Sequence, residues 1–140
     1  MTRAGAFFGL HLPFLELLGA RADHREHGRA VVSLELRPDL ANSWGSAHGG
    51  VLTSLLDVAM EAAAMTGDSH ASGVVTVNLS VTFLRSGAGV LVAEGRMMKG
   101  GRSLVFCEGE VRDGAGEVVA KAVGTFKVKR RGETGSGERG

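Results

Sequence analysis

The sequence predicts one α+β domain in which an antiparallel β-sheet wraps around a central α-helix. Three features predict it. From Val51 to about Met65, Leu, Ala, Val and Met occupy nearly every side of a helix; four runs of strand length follow; and Gly-rich turns separate those runs. A helix that is apolar all round needs cover all round, and a meander of strands supplies it only by curling over the helix.

The elements follow in order. Phe7, Phe8, Leu10, Phe14, Leu15, Leu17 and Leu18 recur at mixed helical spacing, but Pro13 forbids one unbroken helix, so the domain is expected to begin with a short, broken one. Ala30, Val32, Leu34 and Leu36 alternate with Val31, Ser33, Glu35 and Arg37 before the turn at Pro38-Asp39, which predicts the first strand. Asn42 to Gly50 reads as a loop leading into the buried helix. Beyond Gly67-Asp68, strands are expected at about 72–85, 89–99, 102–112 and 117–128, divided at Ser86-Gly-Ala-Gly89, Gly100-Gly101 and Asp113-Gly-Ala-Gly116. Alternation places Val75, Val77, Leu79, Val81 and Phe83 on one face of the first of these, with Thr76, Asn78, Ser80 and Thr82 on the other. In the last, Val118, Ala120, Ala122, Gly124, Phe126 and Val128 share a face. The domain is expected over 1–128; residues 129–140 offer nothing apolar to bury and are expected to form a disordered tail. Five strands leave one helix flank and one sheet edge open, and pairing two copies edge to edge would cover both, so a twofold dimer is expected.

Bulk properties narrow the function. A chain of 140 residues with net charge +1 lacks the basic excess of a dedicated nucleic-acid binder, so no nucleic-acid partner is expected. The single cysteine, Cys107, permits neither an intrachain disulfide nor a Cys-based metal site, suits a reducing compartment, and reads as a small core residue. The apolar stretch from Ala4 to Leu18 is interrupted by His11, Pro13 and Glu16, which spoils it as a secretory or membrane segment. No membrane partner and a cytoplasmic location are expected.

The chemistry concentrates in Asn42-Ser-Trp-Gly-Ser-Ala-His48-Gly49-Gly50 and the helix that follows, with Asp57 about two turns inside it. The Gly49 amide would sit among the free N–H groups at the helix start, where the macrodipole adds positive character, and without a Cβ it lets a carbonyl approach closely. Set among Leu55, Leu56, Val58 and Ala59, Asp57 reads as a carboxylate short of water, suited to act as base or nucleophile.

Asn42-x5-His48-Gly49-Gly50-x6-Asp57, then Val75-Thr76-x-Asn78-Leu79-x-Val81-x-Phe83-Leu84-Arg85 and later Gly101-Arg102-Ser103, resembles the hotdog-fold acyl-CoA thioesterases of the phenylacetic-acid-degradation type over roughly residues 10 to 128. The resemblance implies a hotdog fold, a dimer that pairs again into a homotetramer, and active sites at the dimer interface. It implies hydrolysis of an aryl-acyl or medium-chain acyl-CoA to free acid and CoA, with no metal or cofactor beyond the CoA of the substrate. Asp57 would come from one subunit, with Gly49, His48 and Asn42 from the other. Thr76 matches the hydroxyl residue that holds the attacking water beside the acid.

Plainer readings stand beside these. His48 either touches substrate or orients its loop through a backbone hydrogen bond, and Asn42 is either a site residue or an ordinary turn residue. Gly50 belongs to the same substrate-binding loop. Glu61, four residues after Asp57 on the same helix face, departs from the family pattern; it either raises the neighbouring acid's affinity for protons or lines a wet subunit seam. Arg85, which lacks the Pro that usually follows it closely, and the turn residues Arg102 and Ser103 are candidates for the CoA phosphates. The rival function is an acyl-CoA-binding hotdog protein without turnover, which has no use for an acid at position 57.

Overall fold

The structure is a computed structural model that describes residues 6–7, 10–130 and 132. Two short strands, β1 (Ala6–Phe7) and β2 (Leu10–His11), pair as a small hairpin before α1 (Pro13–Leu18), so the broken start is part hairpin and part helix. Pro13 opens α1, where its missing N–H costs nothing, and Arg37 closes the other end by donating to the carbonyls of Leu18 and Leu17 at 2.6 and 2.7 Å.

The main sheet is antiparallel with six strands: β3 (Arg21–Glu26), β4 (Arg29–Glu35), β5 (Ala71–Phe83), β6 (Val90–Gly100), β7 (Leu104–Arg112) and β8 (Val118–Arg130). Their spatial order is β3-β4-β6-β7-β8-β5, leaving β3 and β5 at the edges. The long helix α2 (Gly49–Thr66) packs against all six strands, which is the α+β hotdog architecture. Leu55, Leu56, Ala59 and Met60 meet Leu34, Leu91, Val111 and Phe126 in one continuous core. Each large apolar side chain buried there contributes about 1.5–3 kcal/mol of transfer free energy.

Differences from the sequence reading have physical causes. The strand β3 is absent from that reading because Arg-Ala-Asp-His-Arg-Glu turns only Ala22 inward and shows no alternation; as an edge strand it needs no second apolar residue. The last strand runs to Arg130, past the boundary expected at 128, because Ala71 and Gly73 of β5 still pair with Arg130 and Lys129. Of the tail expected from 129 onward, residue 131 and residues 133–140 lie outside the described residues. Alternation in β5 breaks at a bulge: Thr76 pairs with Phe126 and Asn78 with Thr125, so Val77 is the extra residue and is 57% exposed. Thr76 therefore shares the helix-facing side with Leu79 and Val81 instead of opposing them. The helix itself is not covered on every side, for Ser54, Asp57, Glu61 and Met65 form a partly accessible stripe along it.

The helix lies so close to the sheet that β6 must carry a glycine beneath it. A Cβ on Gly95 would fall 2.4 Å from the Ala59 carbonyl oxygen and 2.6 Å from the Met60 nitrogen, both backbone atoms that move only with the helix. Gly95→Ala is therefore expected to destabilise the fold by about 3 kcal/mol, read as a lowered denaturant midpoint with an unchanged slope. A loss below about 0.5 kcal/mol would show that the helix shifts freely on the sheet. Among the described residues, no helix is long and apolar enough to cross a membrane.

Candidate active site

The first half of the site is the start of α2. His48 is its N-cap, in extended conformation, and its Nδ1 accepts a hydrogen bond from the Gly50 N–H at 2.8 Å. A Cβ on Gly50 would meet that imidazole nitrogen at 3.0 Å, so glycine there makes room for the cap. The His48 carbonyl accepts from Val51 and Leu52 at 2.9 and 3.3 Å. Of the first four amides of the helix, only that of Gly49 has no hydrogen-bond partner among the described residues. No acidic residue lies in the first turn, so nothing on the helix itself offsets the positive end of its dipole.

The loop before the helix is held from within. Asn42 Oδ1 accepts from the Trp44 and Ser46 amides at 2.9 and 3.1 Å, the local turn that Asn favours, while Ala47 N–H donates to the Gly87 carbonyl at 2.9 Å. Asn42 and His48 thus shape the loop, and Gly50 commits its N–H to the cap. The ring of Phe83, at the end of β5, lies against Gly49, 3.3 Å from where a Cβ would stand. Alternation and the motif segment give Phe83 a place on β5 but no role; its contact with the helix start joins residues 34 positions apart in the chain, which no local pattern reveals. Trp44, 87% exposed on the same loop, and half-exposed Leu84 give this end of the molecule an apolar surface.

The second half lies two turns along the helix. Thr76 Oγ1 is 2.7 Å from Asp57 Oδ1 and 2.9 Å from Glu61 Oε2, so one hydroxyl bridges two partly buried carboxyl groups. Burial, together with the Asp57 charge beside it, pushes the Glu61 carboxyl up to about 8. The bulge at Val77 makes this contact possible by turning Thr76 toward the helix.

These halves do not meet within one chain. Asp57 stands eight positions along the helix from Gly49, a rise of about 12 Å, too far for both to act on one carbonyl. The candidate phosphate contacts are divided likewise. Arg85, beyond β5 at the Phe83 end, forms an ion pair with Glu117. Arg102 and Ser103 are exposed in the β6–β7 turn near the Thr76 end; the Arg102 carbonyl accepts from Arg130, and the Ser103 carbonyl from Val128 N–H at 3.1 Å. A hollow of about 570 Å³ lies on the outer sheet face, lined by Ser80, Glu94, Arg96, Glu110, Arg112 and Lys121, and includes none of Gly49, Asp57 or Thr76. Cys107 is fully buried beneath α2, its thiol pushed up to about 12 by burial, which leaves it an inert core residue.

The chain belongs to the thioesterase superfamily, whose family model matches residues 45–120, and it is classed with the hotdog enzymes of that superfamily. A candidate esterase of Saccharolobus solfataricus is 30% identical over 116 residues, 82% of each chain. The medium/long-chain acyl-CoA thioesterase YigI of Escherichia coli K12 is 26% identical, over 89% of this chain and 90% of that protein. In three dimensions the chain is similar to the E. coli PaaI protein from the phenylacetic acid degradation operon, with a TM-score of 0.77, 26% identity, and coverage of 87% of this chain and 86% of that one.

Proposed function

We propose that this protein is an acyl-CoA thioesterase of the phenylacetic-acid-degradation type, hydrolysing an aryl-acyl or medium-chain acyl-CoA at a site shared between two protomers. The observation that carries the reading is the uncommitted Gly49 amide at the positive end of an 18-residue helix, together with a carboxylate that its own chain cannot bring to it. The Gly49 N–H donates to the thioester carbonyl and strengthens its hold as that oxygen becomes an oxyanion, an effect of about 3–4 kcal/mol in the transition state. Asp57 of the other protomer takes a proton from water as the water adds, or adds to the carbonyl itself to give an anhydride that water then cleaves. The CoA sulfur leaves as thiolate and is protonated, and the acid departs.

The edge strand β5 supports the shared site. It carries the two halves at its two ends, Thr76 against Asp57 and Phe83 against Gly49. Antiparallel pairing of β5 with its twofold copy, centred between Leu79 and Ser80, sets Thr76 of one protomer opposite Phe83 of the other. That pairing also covers the open sheet edge and brings Arg85 of one chain toward Arg102 and Ser103 of the other as CoA-phosphate contacts. Outside the site, Val92, Phe106 and Val123 stand exposed on the outer sheet face, a surface that a second dimer would cover in a homotetramer. A cytoplasmic location fits an intracellular CoA ester as substrate.

The test is thiol release across a panel of aryl-acyl and straight-chain acyl-CoAs. Turnover with at least one aryl-acyl or medium-chain ester is the expected result. Binding of these esters without thiol release would identify an acyl-CoA-binding protein instead.

A further inference from the structure

From the position of one hydroxyl between two carboxyl groups, we infer that Glu61 keeps a proton at neutral pH and, acting through Thr76, holds the Asp57 carboxyl in a fixed orientation. Glu61 is then a positioning residue for the reaction proposed above, and the inference about its mechanistic role rests on that reading. The geometry demands a shared proton. Thr76 Oγ1 lies 2.7 Å from Asp57 Oδ1 and 2.9 Å from Glu61 Oε2, both hydrogen-bond distances. A hydroxyl owns one hydrogen and ionised carboxylates own none, so Thr76 can donate to only one of them. The second contact becomes a hydrogen bond when a carboxyl brings its own hydrogen, which Thr76 Oγ1 or the facing carboxyl oxygen then accepts.

Burial, the adjacent Asp57 charge and a hydrogen bond with the Asp57 carboxyl outweigh the Thr76 hydroxyl, which favours the ionised form, and push the Glu61 carboxyl up to about 8. The chain of donors then runs from Glu61 O–H to Thr76 Oγ1, and from Thr76 O–H to Asp57 Oδ1. Within its own chain, no cationic side chain among the described residues compensates a second negative charge there. Asp57 is the one charged group acting on Glu61 among the described residues. The buried residues that β3, β4, β6, β7 and β8 contribute to the core beneath the helix are apolar apart from Cys107, and β5 adds Leu79, Val81 and the Thr76 hydroxyl. The Cys107 thiol, pushed up to about 12, stays neutral in the relevant range.

The consequence is an alkaline limit on activity. Once Glu61 ionises, two anions compete for one hydroxyl hydrogen, and Asp57 loses its fixed orientation. In the wild type kcat/KM is therefore expected to fall as pH rises through about 8. Glu61→Gln keeps an N–H to donate to Thr76 and never ionises, so it should hold the neutral-pH rate within about threefold and lose the alkaline limb.

A second readout needs no turnover. The folded state holds on Glu61 a proton that the unfolded chain, with its ordinary carboxyl value of 4.5, releases. Stability from this group is therefore complete below about 4.5, declines as pH rises toward about 8, and levels off beyond. Chemical denaturation across that range should show the decline in the wild type and its loss in Glu61→Gln. Identical alkaline limbs and identical stability profiles in the two proteins would overturn the inference. So would a folded Glu61→Gln inactive at every pH, since Gln supplies the same donor. If the wild type hydrolyses no acyl-CoA at all, the thioesterase reading fails, and the denaturation comparison still decides where the proton sits.

Discussion

Asp57→Asn is expected to lose about 10³–10⁴-fold in kcat for acyl-CoA hydrolysis, with KM and thermal midpoint nearly unchanged. The substitution keeps the volume of the side chain and leaves an oxygen at the Oδ1 position, so the Thr76 hydroxyl, 2.7 Å away, still has its acceptor. What disappears is the capacity to take a proton or to form an acyl bond. The proposed mechanism puts ground-state binding on CoA and acyl contacts away from position 57, which is why the loss should fall on kcat. Steady-state kinetics beside a melting curve separates this outcome from misfolding. Hydrolysis within about threefold of wild type would remove Asp57 from the chemistry.

The next largest effect comes from combining two inactive proteins. Gly49→Val should by itself cost about 10²–10³-fold, because it crowds the open amide that the proposed mechanism uses to polarise the carbonyl. Its Cβ would stand 3.3 Å from the Phe83 ring and its γ-methyl groups reach further, so the ring has to move aside, and a melting curve checks that the fold is retained. Unfolded together with Asp57→Asn and refolded, half of the dimers carry one variant of each kind. In such a dimer one site holds both defects and the other holds neither, so activity should return to about a quarter of wild type. No recovery in verified mixed dimers would mean that each protomer carries its own complete site. The helix forbids that arrangement, because its rise keeps Gly49 and Asp57 about 12 Å apart.

Much of the architecture was legible in the chain. The all-apolar run after Gly50 became α2, Ala30, Val32 and Leu34 became the inner face of β4, and the Gly-rich turns fell between β5, β6, β7 and β8. These signals are local: periodicity and turn chemistry depend on residues a few positions apart. The elements that escaped carry no such local mark. The edge strand β3 needs only Ala22 buried, and the bulge at Val77 is imposed by the register between β5 and β8. The site divides in the same way. The His48-Gly49-Gly50 motif and Asp57 stood out by spacing, whereas the use of His48 as a helix cap, of Asn42 as a turn former and of Phe83 as a neighbour of Gly49 depended on where side chains came to rest.

The amino-acid order alone determined a helix to be wrapped, the strands to wrap it, and a glycine amide and an acid placed two turns apart along that helix, since each follows from short-range stereochemistry. Only the tertiary structure decided that Thr76 turns inward to join Asp57 and Glu61 through one hydroxyl, and that Gly49 stands out of reach of them in its own chain. Those facts depend on sheet register and on the rigid length of a helix, which are settled by contacts between distant parts of the chain.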